Sequence, residues 1–121
     1  MSSIRVLLVD DEEELVTTLQ ERLSLRGIVA KAVTSGHEAL ELMAAQSFDV
    51  VVADLKMPGL GGLEVIDTIA RVYPGVRVLL VTGHGADLSE LDTVTERGCE
   101  VLLKPFDIDT LLKRIHGTSE S

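Results

Sequence analysis

The chain has 121 residues, of which 45% are apolar and 26% are charged, a size and composition typical of one compact domain. Its 11 basic and 20 acidic residues give a net charge of −9, which repels nucleic acid phosphates and anionic lipid headgroups. The single Cys99 excludes an internal disulfide and suits a reducing compartment. We therefore expect one cytoplasmic domain over residues 1–121 that binds neither nucleic acid nor membranes, with a core from about 4 to 116 and a tail or linker beyond it.

Short apolar blocks that contain β-branched residues recur along the chain and predict five strands. The blocks span residues 4–9, 28–33, 50–53, 76–81 and 101–103. Because they are apolar on both faces, they predict a sheet that is covered on both sides.

Amphipathic stretches with helical spacing lie between and after these blocks. They predict five helices, whose apolar residues are Leu15, Leu19 and Leu23; Ala39, Leu40, Met43 and Ala44; Val65, Ile66 and Ile69; Leu88, Leu91 and Val94; and Ile108, Leu111, Leu112 and Ile115. Ser35 and Glu38 have the spacing of a capping box before the second helix. Five strands in alternation with five helices predict an α/β fold with three layers and a parallel sheet.

Polar residues follow four of the five predicted strands. Asp10 and Asp11 follow the first, Asp54 the third, Thr82 the fourth and Lys104 the fifth. Because ligands of open parallel sheets bind outside the carboxyl ends of the strands, these side chains predict one functional site.

The residue types at these strand ends suit phosphoryl chemistry. Carboxylates that repel one another favour a hard divalent cation among them, and Mg²⁺ or Mn²⁺ prefers such oxygen ligands. An ammonium and a hydroxyl, from Lys104 and Thr82, can bind phosphoryl oxygens while a carboxylate acts as the nucleophile.

Each residue also has a purely structural interpretation. The acids at 12–14 can favour the positive end of the first helix, and Asp54 can cap a turn. Thr82 and Lys104, taken singly, are ordinary loop residues, and only their joint position at strand ends points to a site. The bond between Lys104 and Pro105 can be cis or trans.

The segments LLVDDEEE, VVADLKMPGLGGLEV, VLLVTGHG and LLKPFD resemble the receiver domain of two-component response regulators. The resemblance extends from about Ile4 to His116, with the motifs in the right order. It implies a flavodoxin-like sheet of five parallel strands in the order 2-1-3-4-5.

The resemblance also implies roles for the strand-end residues. Asp54 would accept a phosphoryl group from a sensor histidine kinase, a phosphotransfer protein or a small donor. Mg²⁺ would be held by Asp11 and Asp54, by Asp10 through water, and by the backbone carbonyl of Lys56. Thr82 and Lys104 would bind the phosphoryl oxygens, while Lys56 and His84 would lie at the pocket rim and modulate the lifetime of the phosphoryl group.

The implied function is a signalling switch rather than an enzyme acting on other substrates. Phosphorylation would change the face formed by helix four, strand five and helix five, and so control an effector protein or domain, in a monomer or a weak phosphorylation-dependent dimer. One departure is Val101, which stands where the family commonly has an aromatic switch residue. It predicts coupling through the 83–88 loop and helix four, or it is a plain packing choice.

Two other functions would use parts of the same pattern. A phosphorylation-independent adaptor would keep the fold but would not need the complete set of pocket residues. A hydrolase with an aspartyl-phosphate intermediate would need a second acid two residues after Asp54, where this chain has Lys56.

Overall fold

A computed structural model describes residues 4–55, 62–83 and 99–117 of the chain, without the side chains of residues 62 and 63. In these ranges five strands and four helices follow one another. They are β1 (Arg5–Val9), α1 (Glu13–Leu25), β2 (Val29–Val33), α2 (Gly36–Ala45), β3 (Val50–Asp54), α3 (Gly62–Val72), β4 (Arg77–Thr82), β5 (Glu100–Leu103) and α4 (Ile108–His116). Thus α4 is the fifth helix predicted from the sequence, and the fourth, at 88–97, lies outside the described residues.

The strands form one parallel sheet in the order β2-β1-β3-β4-β5. This confirms the fold class and the strand order that the resemblance implied. The strands β1 and β3 lie side by side, with Val6 opposite Val50 and Val9 opposite Ala53. Because β1 and β3 each have a strand on either side and helices above and below, their side chains are almost all buried.

Successive residues of each strand point to opposite faces of the sheet and enter two separate cores. On one face, Leu7 and Leu80 pack in a cluster that includes residues of α2 and α3. On the other face, Leu8 and Leu79 pack in a cluster that includes residues of α1 and α4. Burial of each such leucine contributes roughly 1.5–3 kcal/mol, so the two cores are the main source of the fold's stability.

The ends of two helices show why they begin where they do. Ser35 Oγ accepts a hydrogen bond from the backbone N–H of Glu38 at 3.1 Å, which confirms the predicted cap of α2. The carboxylate of Glu38 accepts in return from the N–H of Thr34 at 3.0 Å, rather than from that of Ser35. Asp107 caps α4 in the same way, through the N–H of Thr110 at 2.8 Å.

None of the helices within the described ranges is both long enough and apolar enough to cross a membrane.

Candidate functional site

The strand order brings the predicted polar residues to one edge of the sheet. Asp54 and Thr82 are the last residues of β3 and β4, while Asp10 and Lys104 directly follow β1 and β5. Backbone hydrogen bonds continue the sheet past these ends, from Leu55 N–H to Val81 carbonyl at 2.8 Å and from Lys104 N–H to Thr82 carbonyl at 2.7 Å. The positions of these side chains therefore follow from strand pairing.

Asp10 is a buried carboxylate, with the residue only 5% exposed. Burying a charge is unfavourable unless it is paired and hydrogen-bonded. Asp10 has both kinds of partner, because Oδ1 accepts from the N–H of Glu12 at 2.9 Å and Oδ2 lies 3.2 Å from Nζ of Lys104. These contacts hold one side of the site in place.

Asp10, Asp11 and Asp54 form a cluster in which one carboxylate oxygen of each lies within 4.8 Å of the others. Asp10 is buried, Asp54 is partly buried and Asp11 is exposed, so the cluster opens to solvent on the side of Asp11. A compact set of oxygen donors with room for water fits Mg²⁺ or Mn²⁺, which prefer such ligands and keep part of their hydration shell. The residues present thus fit the divalent ion that the sequence predicted.

The ammonium of Lys104 lies among three carboxylates. Its Nζ is 3.2 Å from Asp10 Oδ2, 3.3 Å from Glu12 Oε1 and 3.4 Å from Asp54 Oδ2. Burial alone would lower the pKa of Lys104, but the charges of Asp10 and Asp54, with hydrogen bonds to Asp10 and Glu12, raise it above its ordinary value. Lys104 is therefore a fixed positive charge at neutral pH, beside the carboxylate of Asp54.

Thr82 is 2% exposed, so this hydroxyl-bearing residue lies inside the protein at the end of β4. Its strand neighbours are Asp54 of β3, paired with the preceding Val81, and Leu103 of β5, the residue before Lys104. The structure thus places Thr82 between the strands that carry the acidic and the basic members of the site.

The remaining predictions about the site concern the rim residues, the bond before Pro105 and Val101. Lys56 and His84, the predicted rim residues, lie outside the described residues. The bond between Lys104 and Pro105 is cis, one of the two isomers that the sequence left open. Val101 is half-buried and packs against the core cluster on the α2 and α3 face. Coupling through the 83–88 loop and helix four in place of an aromatic residue stays a prediction.

Glu12 is a member of the site whose role the sequence left open. Its side chain contacts Lys104 at 3.3 Å and makes no capping hydrogen bond to α1, although Glu12 is the residue that precedes the helix. The available signal was its place next to Asp11 in the loop after β1. That signal was ambiguous because acids at a helix start are common for local electrostatic reasons.

A family model described as the response regulator receiver domain matches residues 6–116, almost the whole chain. The chain belongs to this family. The receiver domain includes the strands and the polar residues described above, and it is a module of two-component signalling.

Relatives of known function share this domain. The chain is 35% identical over 108 residues to the response regulator protein FleR of Pseudomonas aeruginosa, an alignment covering 89% of this chain and 23% of FleR. It is 30% identical over 115 residues to the C4-dicarboxylate transport transcriptional regulatory protein DctD of Rhizobium meliloti, covering 95% of this chain and 25% of DctD. The receiver domain thus spans about a quarter of the length of these relatives.

Solved structures support the same assignment. A response regulator receiver domain from Clostridium thermocellum has a TM-score of 0.87 at 30% identity, over 94% of this chain and 92% of that one. A CheY-like receiver domain from Methanospirillum hungatei has a TM-score of 0.90 over 97% of this chain and 94% of that one, and at 24% identity it supports the fold alone.

Proposed function

We propose that this receiver domain is a phosphorylation-activated switch in which Asp54 accepts a phosphoryl group from a sensor histidine kinase or a phosphotransfer protein. The observation that carries this proposal is the environment of Asp54. Its carboxylate is partly exposed at the end of β3, belongs to the three-acid cluster and lies 3.4 Å from the ammonium of Lys104. A carboxylate that can act as a nucleophile, three acids that can hold a cation, and a positive charge thus lie together.

The chemistry assigns a role to each of these groups. An oxygen of Asp54 attacks phosphorus, the bond from phosphorus to the donor nitrogen breaks, and the electron pair leaves with the donor imidazole. The product is an acyl phosphate on Asp54. Lys104 neutralises charge on the phosphoryl oxygens, and it is close enough to do so with little movement.

Asp10, Asp11 and Asp54 would hold Mg²⁺ or Mn²⁺, with Lys56 providing a backbone carbonyl. When bound, the ion supplies positive charge to the phosphoryl oxygens and offsets the repulsion among the three carboxylates. The cluster geometry supports this assignment, since the three oxygens lie within 4.8 Å of one another.

The output would pass through Thr82. An acyl phosphate on Asp54 would attract the Thr82 hydroxyl, and movement of β4's end would alter the face formed by the predicted fourth helix, β5 and α4. That face would control a downstream effector protein or domain, in a monomer or a weak phosphorylation-dependent dimer in the cytoplasm. Since FleR and DctD are named as a response regulator and a transcriptional regulatory protein, a transcriptional output fits best.

The net charge of −9 argues that any contact with DNA would come from another domain. The domain would catalyse only its own phosphorylation and dephosphorylation, at a rate modulated by Lys56 and His84.

Intact-mass spectrometry after incubation with acetyl phosphate tests the proposal. Wild-type protein should gain one phosphoryl group with Mg²⁺ and much less with a chelator, and Asp54→Asn should gain none. Asp109→Asn, the same change at an exposed position on α4, is the matched control and should behave like wild type. Failure of the wild type to accept phosphate from this donor and from candidate kinases would favour the adaptor function.

A further inference from the structure

Glu12 has an unusual position for its residue type. It precedes α1 with an extended backbone, φ −85° and ψ 95°, but its side chain accepts no hydrogen bond from the helix. Ser, Thr, Asp and Asn are preferred there because their short side chains reach the free N–H groups of the first turn. The helices α2 and α4 follow this preference, with Ser35 and Asp107 as capping residues.

The side chain of Glu12 reaches Lys104 instead. Its Oε1 lies 3.3 Å from Nζ, while its backbone N–H donates to Asp10 Oδ1 at 2.9 Å and so fixes its own position beside the site. The ion pair joins residues 92 positions apart and connects the start of α1 to the end of β5. A local preference at the helix start is thus given up for a contact in the site, and such departures are expected at functional positions.

The three carboxylates around Lys104 differ in how firmly they are held. The side chains of Asp10 and Asp54 are 7% and 13% exposed, whereas that of Glu12 is 65% exposed. An exposed ion pair is weak and exchanges readily. Breaking the ion pair with Glu12 should therefore cost less free energy than breaking the contact with Asp10 or Asp54 when another anion binds Lys104.

We propose that Glu12 is a positioning residue that holds the ammonium of Lys104 toward α1 while Asp54 is unmodified, and that a phosphoryl group on Asp54 displaces it. This inference rests on the proposed function, because it assumes that Asp54 is the phosphoacceptor. Glu12 thereby opposes the phosphorylated state, through competition for Lys104 and through repulsion of the phosphoryl oxygens.

Beryllofluoride, which forms a phosphoryl-like group on a carboxylate, measures this competition with Mg²⁺ present. In Glu12→Gln the side-chain length is kept and the charge is lost, so the dissociation constant should fall about two- to fivefold, the range that an exposed ion pair supplies. Glu12→Ser should tighten binding as well and also stabilise the free protein, because serine can cap α1.

The matched control is Glu13→Gln. Glu13 is the next residue and loses the same charge, but it lines a groove formed by α1, the end of β2 and the start of α2, together with Thr17 and Glu38. Its substitution should change the dissociation constant by clearly less than Glu12→Gln does. An equal change in both variants would show a general charge effect and would overturn the inference.

A second readout needs neither phosphoryl group nor metal. The ε-methylene NMR signals of Lys104 in metal-free protein should shift in Glu12→Gln and stay in place in Glu13→Gln. If wild type binds beryllofluoride but Glu12→Gln has the same affinity as wild type or leaves the Lys104 signals unshifted, the inference is overturned and the proposed function is not. A wild type that binds no beryllofluoride and accepts no phosphoryl group would overturn the proposed function, and the proposed competition with it.

Discussion

At the scale of single residues, the ammonium of Lys104 neutralises part of the negative charge of the site. It is the cation that contacts Asp10, Glu12 and Asp54, so the network around its ammonium has more negative than positive charge. The two nearly buried partners, Asp10 and Asp54, are the ones whose charges raise the pKa of Lys104 most. The same lysine thus stabilises the fold and lies beside Asp54, where the proposed phosphoryl group would be attached.

The raised pKa of Lys104 predicts a dependence of stability on alkaline pH. A group whose pKa is higher in the folded than in the unfolded state stabilises the fold fully below its unfolded value and loses this contribution as the pH rises through the folded value. The free energy of unfolding of wild type minus that of Lys104→Gln should therefore be constant up to about pH 10. It should decrease as the pH rises above the ordinary lysine pKa of 10.5.

Urea denaturation between about pH 8 and pH 11.5 provides the measurement. Lys113→Gln, at an exposed position of α4, controls for the loss of a positive charge as such. A difference for Lys104→Gln that stays flat across the alkaline range would contradict the expectation.

At the scale of helices and strands, the end of α4 is held by a side chain from β4. The guanidinium of Arg77 donates to the carbonyls of Ile115 and Arg114, each at 2.7 Å, and to the carboxylate of Glu100 at 2.9 Å. Helix carbonyls at a C-terminus lack partners within the helix, and a planar guanidinium can bind several acceptors at once. Arg77 therefore joins β4, β5 and α4 at the edge of the sheet opposite the candidate site.

We expect Arg77→Gln to lower the free energy of unfolding by about 1–2 kcal/mol, because it removes charge-assisted hydrogen bonds at a half-exposed position. Urea denaturation measures the loss. Amide exchange should show that the substitution lowers protection in α4 more than in β1. Arg71→Gln is the control, since Arg71 lies exposed in the last turn of α3. Equal losses in the two variants would argue against a specific role for Arg77.

At the scale of the whole molecule, the proposed function and the stability of the fold make opposite demands at one edge of the sheet. The central strands β1 and β3 both lead into acidic residues, so repulsion among Asp10, Asp11 and Asp54 acts on the most buried part of the fold. In a small domain that unfolds cooperatively, this repulsion lowers the stability of the entire structure. A bound divalent cation would restore it by mass action.

Asp11→Asn should therefore raise the free energy of unfolding by about 0.5–1 kcal/mol in metal-free buffer, because it removes one charge from the cluster. The same substitution should weaken the stabilisation that Mg²⁺ gives to wild type. Thermal unfolding with a chelator and with Mg²⁺ measures both effects, and Asp109→Asn should keep the full response to Mg²⁺. A wild-type midpoint that does not change with Mg²⁺ would contradict the assignment of the cluster as a metal site.

Much of this protein is determined by its sequence alone, because the relevant interactions are local. Apolar blocks of strand length predicted the five strands, helical spacing predicted the four helices of the described ranges, and the Ser35 cap lies three residues from its partner. The polar residues that follow the strands also predicted that Asp10, Asp11, Asp54, Thr82 and Lys104 lie at one edge of the sheet, since parallel strands end at a common edge. The strand order itself came from family resemblance, because periodicity does not specify which strands are neighbours.

Only the tertiary structure decided which of these groups touch. Lys104 lies 94 positions from Asp10 and 50 from Asp54, and Arg77 lies 38 positions from Ile115. Contacts across such distances depend on strand order, register and helix placement together, so no local pattern encodes them. The side chain of Glu12 shows this most clearly, because its local position predicts a helix-start acid while the folded chain places it against Lys104.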